Sequence, residues 1–155
     1  MKSRTCMFTG HRHIPSEDML ALPKTIDQLI ERLVADGYTE FRCGGAQGFD
    51  TIAALKVLEK KKKYPGVRLC LFLPCKDQTR GWSEGAKAAY DAVLERADSV
   101  IYTSDEYTRW CMHARNRAMV DGSDLCVAYC SSQTGGTAYT VEYAKKNGVK
   151  IINLS

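Results

Sequence analysis

The sequence lacks the usual marks of disulfide-bonded, zinc-binding and membrane-spanning proteins. Its seven cysteines are an odd number, and no two of them are spaced as C-x-x-C. Most of them lie in apolar segments, where a thiol packs like a small hydrophobic side chain. A disulfide framework is therefore not expected, and zinc binding is a weaker interpretation than buried thiols. The apolar runs are much shorter than the roughly 20 residues that a membrane-spanning helix needs.

A strong excess of charge of one sign is also absent. The 155 residues contain 22 Lys plus Arg and 18 Asp plus Glu, a net charge of +4, which by itself does not indicate a nucleic-acid partner. The basic run 60–63 is expected at the C-terminal end of a helix, where the helix dipole favours positive charge, and we interpret it as a solvated helix end rather than a DNA-binding patch.

The N-terminal sequence has no apolar signal region. We expect one cytoplasmic domain over residues 1–155.

Strand-like and helical segments alternate along the chain. The clearest helix follows Pro23, with apolar residues spaced at i, i+3, i+4, i+7 and i+8 up to Gly37. Further helices are predicted after Gly48, from about Ser83, over 111–121 and from Gly135. Strands are predicted over residues 4–9, 39–43, 67–73, 99–102, 125–129 and 149–154. This alternation predicts an α/β fold with a mostly parallel sheet sandwiched between helices.

Three loops that carry glycine or hydroxyl groups follow predicted strands and should meet at one edge of the sheet. Their residues are Thr9, Gly10, His11 and Arg12 after the first strand, 44–48 with Asp50 after the second, and Thr134, Gly135, Gly136 and Thr137 after the fifth. Glycine has no side chain to keep an anion away from the backbone N–H groups. The N–H groups and dipole at a helix N-terminus also favour binding of an anion. Each loop alone is more often a simple tight turn, but together they predict a phosphate-bearing ligand. The G-x-G-x-x-G fingerprint and the Walker A motif are absent, so an NAD dehydrogenase or P-loop NTPase is not supported.

One arginine stands out in the predicted helix over 111–121. Arg115 could hold a phosphate or carboxylate with its planar guanidinium group, with Asn116 beside it. The alternative is that Arg115 pairs with a nearby acid such as Asp121 or Asp124. Sequence alone leaves both open.

Four other polar or aromatic residues each allow two interpretations. His11 could contact a ligand or make an ordinary loop hydrogen bond. A lone Glu142 is more often solvent-facing than catalytic. Gln78 and Trp82 could form the wall or lid of a pocket, where an aromatic face stacks on a base or ribose, or Trp82 could cover the core.

The combined pattern resembles the SLOG superfamily, named for the Smf/DNA-processing-A proteins and the LOG phosphoribohydrolases. The residues that carry the resemblance are Gly45, Ala46, Gln47, Gly48, Phe49, Asp50, Met112, Arg115, Asn116, Met119, Asp124, Gly135, Gly136 and Thr137. Features similar to its YpsA-like branch are Thr9 to Arg12, Leu73, Pro74, Asp77, Gln78, Trp82, Tyr90, Ala97 and Asp98. The resemblance extends over nearly the whole chain.

The resemblance implies a Rossmann-like sheet with a pocket for a nucleotide or nucleotide-derived ligand. The implied ligand-binding residues are Thr9, Gly10, His11, Arg12, Gly44, Gly45, Ala46, Gly48, Asp50, Gln78, Trp82, Arg115, Asn116, Gly135, Gly136 and Thr137. No metal or other cofactor is implied. A homodimer is expected from related proteins.

The same resemblance raises a catalytic alternative, hydrolysis of the N-glycosidic bond of a nucleoside 5′-monophosphate. LOG enzymes use M-x-x-R-K and P-G-G-x-G-T-x-x-E; here Asn116 replaces the lysine, and Glu142 follows Thr137 by five positions instead of three. On a helix, two residues turn a side chain by about 200°. In a hydrolase, Arg115 would bind phosphate or stabilise the ribosyl transition state, and Glu142 would activate water. The departure at Glu142 favours a sensing or sequestering module over catalysis.

A third interpretation follows the DNA-processing relatives, which bind single-stranded DNA with basic grooves. The modest net charge makes this interpretation the weakest.

Overall fold

The computed structural model describes residues 3–155; Met1 and Lys2, at the start of the N-terminal segment, lie outside the described residues. Six strands are present: β1 Arg4–Gly10, β2 Tyr38–Cys43, β3 Arg68–Leu73, β4 Ser99–Tyr102, β5 Leu125–Tyr129 and β6 Lys150–Asn153. They form one sheet in the order β4-β3-β2-β1-β5-β6, and every neighbouring pair is parallel. The predicted α/β fold with a parallel sheet is confirmed.

Six helices connect the strands: α1 Ser16–Met19, α2 Leu22–Ala35, α3 Phe49–Lys63, α4 Glu84–Arg96, α5 Cys111–Val120 and α6 Gly136–Lys146. The periodic apolar residues of α2 are buried, as predicted. Helix α1 was not predicted, because its four residues bury no side chain and so leave no apolar period. Among residues 3–155, no helix is long and apolar enough to cross a membrane.

The sheet is covered on both faces, and the alternation of side chains along each strand divides the core into two layers. Phe8 packs with Phe41 and Phe49 on the side of α2 and α3. Its neighbour Met7 lies on the other face, together with Met119 of α5 and Val141 of α6. Burial on both faces explains why the strands are almost continuously apolar in sequence. All seven cysteines are free thiols.

The strand order reverses between β1 and β5. Strands β1 to β4 progress toward one edge of the sheet, and β5 then returns to the other side of β1, where Gly10 pairs with Tyr129. The connections after β1 and β5 leave in opposite directions, which opens a crevice at their carboxyl ends. Open α/β sheets bind ligands at such a point.

The basic run 60–63 forms the end of α3, but it is less solvated than expected. Lys60 Nζ lies 3.1 Å from Asp27 Oδ1 and 2.5 Å from Glu31 Oε2. The side chain of Lys60 is only 12% exposed. Lys63, with its side chain 62% exposed, lies 2.9 Å from Glu31 Oε1. The run therefore links α3 to α2 through ion pairs, and the expectation of a solvated helix end holds for Lys63 but is wrong for Lys60.

Candidate functional site

A cavity of about 320 Å³, called here the central cavity, lies at the carboxyl ends of β1 and β5, where the strand order reverses. Its volume is at the lower end of the roughly 300–1,000 Å³ typical of small-molecule sites. The loops after β1, β2 and β5, the first turn of α3 and one face of α5 form its walls. The lining residues are Thr9, Gly10, His11, Arg12, Ala46, Asp50, Met112, Arg115, Asn116, Met119, Thr134, Gly135, Gly136 and Thr137.

Most of the residues selected from the sequence come together in this cavity. Thr134 of the predicted loop after the fifth strand lines it too, as do Met112 and Met119, which were among the residues that carry the resemblance. Six selected residues line other parts of the structure: Gly44, Gly45, Gly48, Gln78, Trp82 and Glu142. No cluster of three or more His, Cys, Asp or Glu side chains within residues 3–155 could hold a metal ion.

Arg115 is held rigidly by main-chain oxygens. Its Nη1 donates to the carbonyl of Gly44 and, at 3.4 Å, to that of Phe72; its Nε donates to Asn116 Oδ1 at 2.7 Å. Only 5% of the residue is exposed, and burial lowers the pKa of its guanidinium. The side chain is thus ordered in advance and brings a positive charge to the end of β2.

The acids proposed as alternative partners of Arg115 are used elsewhere. Asp124 Oδ2 accepts from the backbone N–H of Thr5 at 2.8 Å. Asp121 Oδ1 accepts from the hydroxyl of Tyr143 at 2.9 Å. The interpretation that pairs Arg115 with either acid is therefore wrong.

Asp50 is the buried acid of the cavity. It lies in the first turn of α3 and is 6% exposed. Its Oδ2 accepts from the backbone N–H of Ala46 at 3.3 Å, whereas Oδ1 is buried and has no hydrogen-bond partner within residues 3–155. Burial raises the pKa of Asp50 to about 6, and the nearby Arg115 guanidinium and the backbone N–H groups of Ala46 and Gly44 oppose that rise. At neutral pH Asp50 is therefore mostly ionised, and its buried Oδ1 is an unused acceptor beside the cavity.

The N-terminus of α6 forms another wall. Gly135 precedes the helix with φ of 97°, a left-handed conformation that favours glycine, and no side chain caps the helix. Gly136 and Thr137 follow in the first turn, where N–H groups have no partner inside a helix. The positive end of the helix dipole adds to them, so this wall suits an anion.

His11 connects the loops around the cavity. Its Nε2 accepts from the backbone N–H of Ser131 at 2.9 Å, its backbone N–H donates to Tyr129 O at 3.2 Å, and its carbonyl accepts from Phe49 N at 3.2 Å. The loop after β1 is thereby joined to the loop after β5 and to the start of α3. The acceptor role of Nε2 requires the neutral imidazole with its proton on Nδ1. The loop hydrogen bond considered for His11 is present, and the residue also lines the cavity.

Gln78 and Trp82 lie behind the glycine loop rather than in the cavity. Gln78 Oε1 is buried next to Gly45, 3.5 Å from where a Cβ at that glycine would be. Trp82 packs edge-on against Tyr90 of α4, with ring centroids 5.5 Å apart. This position corresponds to the alternative in which Trp82 covers the core, and the pair supports the loop after β2 from outside.

A larger cavity of about 580 Å³, called here the lateral cavity, lies on the other side of the loop after β5. It shares Thr134 and Gly135 with the central cavity, and the exposed Glu142 lines it. The two residues selected as catalytic, Arg115 and Glu142, thus line different cavities. The longer spacing between Thr137 and Glu142 agrees with this separation.

One residue that supports the site was not found from the sequence. Arg42 Nη1 donates to Met119 O at 3.1 Å and to Asp121 O at 2.7 Å, at the C-terminal end of α5. Its guanidinium also lies 5.0 Å from the ring centroid of Phe72. Arg42 therefore fixes the helix that carries Arg115. In the sequence, Arg42 is recognisable only as a charged residue within a predicted strand. That pattern does not show that Arg42 binds the C-terminal end of α5.

An exposed aromatic and basic surface lies beside both cavities. The Trp110 surface, as it is called here, consists of Arg109, Trp110, His113 and Tyr139. Trp110 is 60% exposed, and the Arg109 guanidinium lies 4.8 Å from its ring centroid. The rings of Trp110 and His113 are stacked at 6.0 Å, and His113 lies 4.1 Å from Tyr139. This surface was not predicted from the sequence, because Tyr139 is far along the chain from Arg109, Trp110 and His113.

The sequence comparisons identify the family of the chain. The family model of the YspA SLOG family matches residues 8–152. The SPbeta prophage-derived protein YoqJ of Bacillus subtilis strain 168 is 31% identical over 141 residues, which cover 83% of this chain and 82% of YoqJ. A UPF0398 protein of Bacillus thuringiensis strain Al Hakam is 30% identical over 134 residues, covering 82% of this chain and 71% of that protein.

Solved structures share the fold at low sequence identity. DNA processing protein A from Streptococcus pneumoniae superposes with a TM-score of 0.68 at 15% identity, over 96% of this chain and 49% of that one. DNA processing protein A from Helicobacter pylori, described for its single-stranded DNA binding mode, gives a TM-score of 0.66 at 17% identity, over 96% and 63% of the two chains. This chain therefore spans about half to two thirds of those structures, and the likeness is one of fold.

Proposed function

The chain belongs to the YspA SLOG family, and we propose that its central cavity binds a nucleotide or nucleotide-derived ligand, as a sensing or sequestering module. The observation that carries this proposal is the convergence of three strand-following loops and the Arg115 face of α5 on one cavity at the reversal of strand order. Ligands of open α/β sheets bind at this position.

The phosphate is assigned to the N-terminus of α6. Gly136 leaves the first-turn N–H groups uncovered, and the hydroxyl of Thr137 is a further donor beside them. Arg115 and Arg12 supply positive charge to the same cavity, and Asp50 disfavours an anion at the α3 side. The charges therefore orient the ligand with its phosphate toward α6.

Binding is favoured over hydrolysis by the position of Glu142. The LOG-like mechanism needs Arg115 and the glutamate at one substrate, but here Glu142 lines the lateral cavity. A binding module needs only the loops and the arginine.

The proposal is tested by isothermal titration of the protein with AMP, ADP, NAD and ADP-ribose, with Gly136→Ala as the key variant. A Cβ at Gly136 meets no protein atom within 4 Å, so the variant folds, and its methyl group occupies the space that a phosphate needs. Gly85→Ala is the matched control, because Gly85 is also in the first turn of a helix with open space around it. We expect Gly136→Ala to weaken binding at least about tenfold, or about 1.4 kcal/mol, and Gly85→Ala to leave it unchanged.

Two results would count against the proposal. The first is the absence of binding by the wild-type protein to any of the four nucleotides. The second is equal binding by wild type and Gly136→Ala, which would show that the phosphate does not bind at the N-terminus of α6.

A second candidate function, binding of single-stranded nucleic acid, is favoured by the Trp110 surface. Exposed aromatic rings next to arginine are the elements on which unpaired bases stack. The Helicobacter pylori protein with the same fold binds single-stranded DNA. The Trp110 surface adjoins the central cavity through Met112 of α5, so both partners could be bound on one side of the sheet.

Tryptophan fluorescence tests this second function, because the chain contains two tryptophans. In Trp82→Phe, Trp110 is the remaining fluorophore, and titration with oligo(dT) should quench it in a salt-dependent way if bases stack there. Unchanged fluorescence at low salt would contradict single-strand binding at this surface.

A further inference from the structure

The fold explains only part of Asp50, which lies in the first turn of α3, where the helix dipole favours a carboxylate. A carboxylate offers about four acceptor positions on its two oxygens. Asp50 uses Oδ2 for the N–H of Ala46, while Oδ1 is buried without a partner in the described part of the chain. A buried acceptor that lacks a hydrogen bond destabilises the folded state.

Arg115 does not satisfy this carboxylate by a direct ion pair. The guanidinium donates to the carbonyls of Gly44 and Phe72 and to Asn116 Oδ1, and the salt bridges within residues 3–155 do not include it. It therefore stabilises the charge of Asp50 from a distance and leaves Oδ1 free. Asp50 lines the central cavity, and a ligand donor that reaches this buried oxygen would satisfy it.

We infer that Asp50 makes the central cavity selective for ligands with free ribose hydroxyls, so that ribonucleotides bind in preference to deoxyribonucleotides. This inference rests on the proposed function. In a nucleoside 5′-phosphate the sugar is joined directly to the phosphate, so a phosphate at α6 places the ribose within the same 320 Å³ cavity. Hydroxyl groups donate hydrogen bonds, whereas a phosphate at Asp50 would be repelled.

The apolar groups of the cavity support this orientation. Met112 and Met119 of α5 also line it and provide a wall on which the flat face of a base can pack. With the phosphate at α6 and the base against the methionines, the sugar hydroxyls are the donors left for Asp50. A site that hydrogen-bonds a substrate hydroxyl rejects an analogue without it, because its own buried group is left unpaired.

The test compares AMP, 2′-deoxy-AMP and 3′-deoxy-AMP by isothermal titration. The wild-type protein should bind AMP roughly 10-fold to 100-fold more tightly than at least one deoxy analogue. In Asp50→Asn, the N–H of Ala46 keeps the amide oxygen at the Oδ2 position, so an NH₂ donor replaces the Oδ1 acceptor. Because a ribose hydroxyl can also accept from this NH₂ group, Asp50→Asn should weaken the preference, and Asp50→Ala should abolish it.

Asp36→Asn is the matched control, since Asp36 is an exposed carboxylate at the C-terminal end of α2. It should keep the wild-type preference, and the melting temperature of each variant verifies folding. If wild type binds AMP and both deoxy analogues equally, or if Asp50→Asn and Asp50→Ala retain the preference, the inference is wrong while nucleotide binding stands. If no nucleotide binds, the proposed function fails and the inference fails with it.

Discussion

Arg115 and Asp50 both lie against the backbone of Gly44, at the end of β2. A Cβ atom at position 44 would lie 2.7 Å from Arg115 Nη1 and 3.0 Å from Asp50 Oδ2. The missing side chain of Gly44 therefore lets a buried cation and a buried anion come close without a direct ion pair. Gly44 therefore lies between α5, which carries the arginine, and the first turn of α3, which carries the aspartate.

Gly44→Ala should destabilise the protein, because the added methyl group must displace Arg115 or Asp50. Overpacking of this kind costs about 1–3 kcal/mol, which urea denaturation measures directly. Gly66→Ala is the control, since a Cβ at Gly66 meets no atom within 4 Å. It should change the free energy of unfolding by less than about 0.5 kcal/mol. Equal effects of the two substitutions would show that position 44 is not crowded.

Asp50→Asn should be more stable than wild type at alkaline pH. Folding raises the pKa of Asp50 from 3.8 to about 6. The folded state thus binds this proton more tightly than the unfolded state, and the ionised carboxylate costs the wild type up to about 3 kcal/mol above pH 6. This cost disappears as the pH falls from 6 to below 3.8. Arg115 and Cys43 are the ionisable groups that interact with Asp50.

The measurement is urea denaturation of wild type and Asp50→Asn between pH 4 and pH 8. The variant should gain about 1–3 kcal/mol over wild type at pH 8, and the difference should shrink toward pH 4. Shared titrations cancel in the difference between the two proteins. Parallel stability curves would show that Asp50 has an ordinary pKa.

Arg42→Met should loosen the C-terminal end of α5. It removes the donors to Met119 O and Asp121 O while keeping an unbranched side chain against Phe72. Met119 O keeps the hydrogen bond from the Ser123 hydroxyl, and Asp121 O is exposed to water, so the loss of the two Arg42 hydrogen bonds should cost about 0.5–1.5 kcal/mol each at most. AMP affinity should fall because Arg115 is on the same helix. Arg68→Met, at an exposed position of β3, is the control. A loss of stability without any change in AMP affinity would show that Arg42 does not position the site.

The periodic pattern predicted the fold well because burial leaves a regular trace in the sequence. The predicted ends of the strands differ from the observed ends by at most one residue. Helix α1 left no such trace, and Lys60 looked solvated because its acidic partners lie on another helix. The single domain over residues 1–155, the homodimer and the cytoplasmic location stay predictions.

The site was predictable only in part, for a different physical reason. Strand order and glycine positions indicate which loops meet, and the loops after β1, β2 and β5 do meet. The side on which a residue of a loop lies depends on its neighbours in space, so Gln78 and Trp82 could not be placed. Likewise, the support from Arg42 to α5 joins residues distant in the chain.

The most direct test of the central claim is a titration of ¹⁵N-labelled protein with AMP, followed by amide chemical shifts. A nucleotide in the central cavity should shift the amides of Gly135, Gly136, Thr137 and Ala46 most, and should leave those of Gly66 and Gly85 unchanged. Shifts concentrated around Glu142 in the lateral cavity, shifts confined to the Trp110 surface, or no shifts at all would contradict the account.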